Sequence, residues 1–147
     1  MIVLLDTNIL LRYVDAVHPL HTRTKAAVRG LRRQGRNLRT AEQNCIEFWN
    51  VSTRPVDRNG FGKRPVEAHQ SLRRVERLFP VLPEPSDVYP IWRQLVVTYN
   101  VSGVQVHDAH LVAAMLANGV SHILTFNSAD FTRYADAGIV VVDPSTL

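Results

Sequence analysis

Residues Met1–Asp15 read MIVLLDTNILLRYVD. Four apolar residues, Ile2 to Leu5, give way to Asp6, Thr7 and Asn8, and apolar residues resume at Ile9, Leu10 and Leu11. A short apolar run that ends on a polar triplet suits a buried strand. A carboxylate beside such a strand costs free energy unless something compensates it. One compensation is local: Asp6 caps a following helix through Ile9–Tyr13. That local role leaves the charge itself uncompensated, so something further must repay the cost of placing it here.

Outward from this stretch the chain alternates strands and helices. Residues 20–34 follow Pro19 and predict a helix, with Ala26, Ala27, Val28 and Leu31 inward, Arg29, Arg32 and Arg33 outward, and Gly35 as the stop. Asn37–Ala41 is a candidate strand. Asn44 and Glu47 have the spacing of a capping box, which predicts a helix from Asn44 to about Thr53. Arg54–Pro65 (RPVDRNGFGKRP) reads as a mobile loop, and Pro65 opens a helix through Leu78 with Leu72, Val75 and Leu78 inward. FPVLP is a short strand. Ser86 caps a helix to about Tyr99, His107–Asn118 is another, and SHILTF and GIVVVD are strands. The strands are apolar runs without a solvent face, the signature of a parallel sheet covered on both sides. In such sheets functional groups gather beyond the carboxyl ends of the strands. Asp6 follows the first strand; Asn127 and Asp130 follow HILTF.

Length and composition fit one domain spanning residues 1–147. No apolar stretch reaches the ~18–20 residues of a membrane span, and no basic segment precedes the first apolar run. Cys45 is the single cysteine, which excludes an internal disulfide and reads as a small buried thiol. These features point to the cytoplasm and away from membranes. The net charge of +4 is unevenly placed: residues 23–77 carry 14 of the 17 basic side chains against 5 acids. Arginine dominates that set, and a basic stripe rich in arginine is an electrostatic footprint for nucleic acid, or else a solvated helix face.

The acids are more telling than the bases. Asp108 falls in the first turn of its helix, on the face shared with Leu111, Val112 and Met115, so its carboxyl lies at the rim of the core. An acid there also complements the helix dipole. Glu47 either completes the capping box or faces inward, and Glu42 is its rival. Asp130 and Asn127 sit where TFNSADF opens a short helix. Carboxylates from separate elements at one sheet edge repel each other unless a cation sits among them, and hard oxygen ligands select Mg²⁺ or Mn²⁺. Other chemistries fit less well. His107 and His110 form H-x-x-H without the further ligands zinc needs. NGFGK lacks the spacing of a phosphate loop, and Asn8 stands where an aspartyl-phosphate enzyme commonly has its second acid.

Taken together, LLDTNILL, IEFWNVSTRP and VHDAHLVAAMLANGVSHILTFNSADF resemble the PIN-domain proteins, and more narrowly the VapC-type toxins of bacterial type II toxin–antitoxin pairs. The resemblance covers essentially the whole chain. It implies a three-layer α/β sandwich around a mainly parallel sheet of about five strands. It also implies a Mg²⁺- or Mn²⁺-dependent endoribonuclease, a homodimer, and a cognate antitoxin that covers the groove. The family's acids map to Asp6, Glu47 and Asp108, with Thr7 as the supporting hydroxyl beside the first. Where the family often has T-x-D, this chain has Asn127, so Asn127 or Asp130 supplies the fourth group. Water attack would leave 5′-phosphate and 3′-hydroxyl ends. Arg54, Arg58, Lys63 and Arg64 are the expected contacts to the RNA backbone, with Phe61 and Trp49 as candidates for stacking on bases. Rival readings are a non-catalytic nucleic-acid-binding module, a phosphatase and a structure-specific DNA nuclease.

Overall fold

The computed structural model describes residues 1–147. Five strands form one sheet: β1 (Ile2–Leu5), β2 (Asn37–Ala41), β3 (Val81–Leu82), β4 (His122–Leu124) and β5 (Val140–Val142). Their order is β3-β2-β1-β4-β5, and every pairing is parallel. Six helices connect them: α1 (Thr7–Val14), α2 (His21–Arg33), α3 (Glu42–Thr53), α4 (Pro65–Leu78), α5 (Val88–Thr98) and α6 (Val106–Ala117). Short 3₁₀ turns lie at Val56–Arg58, Gly103–Gln105, Ser128–Asp130, Thr132–Ala137 and Pro144–Thr146.

Alternation along the strands divides the core in two. Leu4 and Ile123 point to the face covered by α5 and α6, where Leu95, Leu111, Val112, Met115, Phe131 and Tyr134 are buried. Val3, Leu5 and Leu124 point to the other face and pack with α1, α2, α4 and Phe48 of α3. The three layers expected from the sequence are therefore present, and the sheet is parallel throughout. Because chain order reverses between the β1–β2 and β1–β4 neighbours, β1 sits at the switch point where such sheets open a crevice at their carboxyl edge. Register aligns that edge. Leu5 pairs with Leu124, so Asp6 emerges beside Thr125; Leu4 pairs with Arg39, so Ala41 and the start of α3 are level with Asp6.

Several local expectations shift. Helix α3 begins at Glu42, not Asn44: Ala41 occupies the N-cap position, and Asn44 Oδ1 reaches back to accept the Ala41 amide at 3.1 Å. Asn44 thus plays the part assigned to Glu47, and Glu47 lies a turn further on, freed from capping. Ser86 does not cap α5; Asp87 precedes its first residue. Ala26 is exposed while Ala27, Val28 and Leu31 are buried, and Leu78 lies 37% exposed. Cys45 is half-buried at the seam of α3 and α4 rather than in the core, and burial, then Glu76 and Glu42, push its thiol up to about 11. At neutral pH it stays protonated and is a poor nucleophile.

The loop after α3 is tied down. The Phe61, Gly62 and Lys63 amides donate to the carbonyls of Val51, Arg54 and Ser52. A Cβ on Gly60 would stand 1.9 Å from the Arg54 carbonyl oxygen, so only glycine lets the loop approach so closely.

Candidate active site

Asp6 is 9% exposed at the carboxyl end of β1. Its Oδ1 accepts the Thr7 amide at 2.8 Å, and its Oδ2 accepts the Thr125 hydroxyl at 2.7 Å and the Asn8 amide group at 3.2 Å. It also occupies the N-cap position of α1. The capping role anticipated for this residue is therefore present, and the bonds from Thr125 and Asn8 add to it, all from neutral groups. They do not offset burial: desolvation outweighs them and raises the carboxyl above the ordinary carboxylate range, with Glu47 and Asp130 adding to the rise.

Glu47 enters from α3. Its Oε2 accepts the Thr7 hydroxyl at 2.6 Å, and its Oε1 accepts the Gln43 amide group at 3.1 Å. The Thr7 hydroxyl in turn accepts from Asn44 Nδ2 at 3.1 Å. Thr7 therefore joins the first acid's loop to the second acid: its hydroxyl bonds Glu47 and not Asp6, the acid it was expected to orient, which receives only the Thr7 amide. Glu42, the rival, is exposed and makes no hydrogen bond with its side chain.

Asp108 lies in the first turn of α6, half-buried, above Leu111, Val112 and Met115. Its carboxyl is pushed up to about 6, by burial first, then by the charges of Asp130, Asp6 and Glu47, with His107 opposing. Those effects place Asp6 and Asp108 each within electrostatic reach of the other three acids. Asp130 and Asn127 occupy the 3₁₀ turn after β4, both exposed at the rim. The Asn127 amide donates to the Thr125 hydroxyl at 2.9 Å, which fixes the turn beside Asp6.

No basic side chain is ion-paired with the cluster. The two ion pairs of the chain are Arg64–Glu67 and His110–Glu84, and neither includes Asp6, Glu47, Asp108 or Asp130. No group of three Asp, Glu, His or Cys side chains is spaced to close on a single ion. The donors nevertheless fit a hard divalent cation, because Mg²⁺ keeps several waters and needs only one or two carboxylates directly.

This arrangement makes stability fall with rising pH. Asp6 and Asp108 both hold protons more tightly folded than unfolded, so the folded state binds more protons between the ordinary value near 3.8 and, for Asp108, about 6. Their favourable share is complete below that window and is lost as pH rises through it. Without divalent cations, Asp108→Asn is expected to stabilise the protein at pH 7 by roughly 1 kcal/mol, a figure reduced for the carboxyl's partial solvation. That is a rise of roughly 2–4 °C in Tm. Melting curves in chelator at pH 7 and pH 4 check this: the difference disappears at pH 4.

Of the expected substrate contacts, Arg58 is exposed, and Lys63 lies 5.7 Å from the Phe61 ring centroid. Arg54 donates to the Asn59 carbonyl at 3.1 Å, and Arg64 pairs with Glu67 at 3.3 Å. Phe61 packs against the core, and Trp49 is half-buried beside His69. Thr125 and Gln43 carry the site's main hydrogen bonds but are not evident from the sequence. Thr125 had one available signal, its place directly after a strand that aligns with the first.

A family model described as PIN domain matches residues 3–137. The chain belongs to the PIN domain family. No curated protein matches this PIN domain by sequence. Among solved structures, FitAcB from Neisseria gonorrhoeae is similar, with a TM-score of 0.73 at 21% identity over 100% of both chains. A toxin–antitoxin complex from Klebsiella pneumoniae gives 0.65 at 19% identity over 97% of both. Mycobacterium tuberculosis VapC20, described as a sarcin-ricin loop cleaving toxin, gives 0.63 at 18% identity, covering 95% of this chain and 97% of that one. These likenesses establish the fold. No helix of the PIN domain is long and apolar enough to cross a membrane.

Proposed function

We propose that this PIN domain is a divalent-cation-dependent endoribonuclease and the toxin of a toxin–antitoxin pair. One observation supports the reading: Asp6 and Asp108, at the carboxyl edge of the sheet, each feel the charges of other acids from separate elements, and no basic side chain is ion-paired with them. Asp6, Asp108 and Glu47 would hold Mg²⁺ or Mn²⁺, one or two of them directly and the rest through its waters, with Asp130 or Asn127 as the fourth group at the exposed rim. Bound there, the cation neutralises phosphate charge and makes water a stronger nucleophile.

The chain's own residues do the positioning. Thr125 and Asn8 fix Asp6, and Thr7 and Gln43 fix both oxygens of Glu47. Water attacks phosphorus in line, the bond from phosphorus to the 3′ oxygen breaks, and that oxygen takes up a proton. The products carry 5′-phosphate and 3′-hydroxyl ends. Arg58 and Lys63, with Arg54 and Arg64, would contact the RNA backbone. The Arg64–Glu67 pair is exposed and so of little worth in stability, and a phosphate can take Glu67's place. RNA is favoured over DNA because VapC20, of the same fold, is described as a sarcin-ricin loop cleaving toxin. A homodimer, a cognate antitoxin over the groove and a cytoplasmic location complete the proposal.

Chelation tests it. A chelator is expected to reduce RNA cleavage to background, and Mg²⁺ or Mn²⁺ to restore it. Cleavage that persists in chelator contradicts the metal reading. Equal cutting of DNA of the same sequence reassigns the substrate.

A further inference from the structure

A chain of hydrogen bonds leads from Glu47 away from the acid cluster. Gln43 lies one turn before Glu47 on α3, and its amide group donates to Glu47 Oε1 at 3.1 Å and to the His107 carbonyl at 2.8 Å. Those two acceptors decide which end of the amide carries the hydrogens. Its carbonyl oxygen therefore faces His110 Nδ1, within hydrogen-bond distance. The opposite ring nitrogen of His110 meets Glu84 Oε1 at 3.0 Å. Glu84 stands just beyond β3, so the chain spans three separate parts of the fold. Gln43, Glu47, Glu84, His107 and His110 line one groove on this side of the acid cluster.

We propose that Gln43, braced by His110 and Glu84, is a positioning residue that fixes the Glu47 carboxylate for the cation. The inference rests on the metal-dependent reading above. Thr7 holds one oxygen of Glu47 from the β1 side, and Gln43 holds the other from the α6 side. Without Gln43 the carboxylate keeps one bond and regains rotation about its terminal torsion. Without His110 the amide keeps the His107 carbonyl but loses the contact that sets its plane. Groups that orient a ligand without touching the metal commonly govern affinity by about 10–100-fold.

The experiment measures Mn²⁺ affinity by electron paramagnetic resonance on the full chain, and kcat and KM on RNA. It uses the parent, Gln43→Leu, His110→Ala, the double variant and Glu84→Gln. Gln43→Leu is expected to weaken Mn²⁺ by about tenfold and lower kcat, with KM for RNA unchanged. His110→Ala moves both in the same direction by less, and Glu84→Gln by less again. Adding His110→Ala to Gln43→Leu brings no further loss, because the brace then has nothing to hold. Equal Mn²⁺ affinity in parent and Gln43→Leu overturns the proposal alone, as do additive losses or an effect confined to KM. A parent that binds no Mn²⁺ overturns the metal reading with it. Should Gln43→Leu fail to fold, His110→Ala and Glu84→Gln decide, and unchanged affinity in both overturns the proposal.

Discussion

Asp6→Asn is expected to lower RNA cleavage by roughly 10²–10³-fold or more while leaving the chain folded. Asparagine keeps the shape of the side chain and an oxygen for the Thr7 amide, which donates to Asp6 Oδ1 at 2.8 Å. What it removes is a charge that the protein itself neutralises poorly. Asp6 has hydrogen bonds from Thr7, Asn8 and Thr125 but no ion pair, and its carboxyl is raised by burial. A buried acid whose protein surroundings favour its neutral form is retained at a stability cost, as functional groups often are. Asn removes that cost, so Tm in chelator does not fall by more than a few degrees. Single-turnover cleavage with saturating Mg²⁺, beside a melting curve, separates the two effects. Cleavage at the parent rate contradicts the assignment of Asp6.

Phe48→Ala is expected to act through the fold. Phe48 is fully buried beside Glu47 on α3 and packs with Val3, Leu5 and the helices of that face. Truncating a fully buried phenylalanine costs about 3–5 kcal/mol, a large share of the ~5–15 kcal/mol that holds a domain together. For a chain of this size that is a drop in Tm of roughly 10 °C. Activity falls as well, because the same residue anchors the helix that carries Glu47 and Gln43. Denaturant unfolding monitored by circular dichroism gives the stability change. A loss below about 1 kcal/mol would show that α3 is held by other contacts.

The two variants mark how differently fold and site can be read from the sequence. The strands were legible because a parallel sheet buried on both faces writes itself as short apolar runs, and IVLL, HIL and VVV are such runs. Helix ends were less so. Asn44 reads as a cap because its side chain and the spacing to Glu47 satisfy the capping pattern, yet Ala41, ending β2, takes that position. The geometry is set by the sheet register, which spacing within one helix does not contain. Asp6 and Asp108 were legible as acids in costly places, whereas Glu47 was singled out mainly by the family resemblance. Thr125 and Gln43 were not, since a neutral side chain after a strand or on a helix carries no penalty that marks it. Their roles exist only because β1 pairs with β4 and the first turn of α3 reaches the first turn of α6. The loop at Arg54–Pro65 illustrates the same limit. Its glycines and prolines announce irregular backbone, but not the amide bonds that tie it to the end of α3.

The central claim is that Asp6 and Asp108 share one divalent cation. A crystal grown or soaked with Mn²⁺ and measured at a wavelength where manganese scatters anomalously tests it most directly. An anomalous peak is expected within about 2.0–2.6 Å of a carboxylate oxygen of each, or of one with the other joined through a water. Mn²⁺ found only elsewhere on the molecule, with both carboxylates unligated, would contradict it.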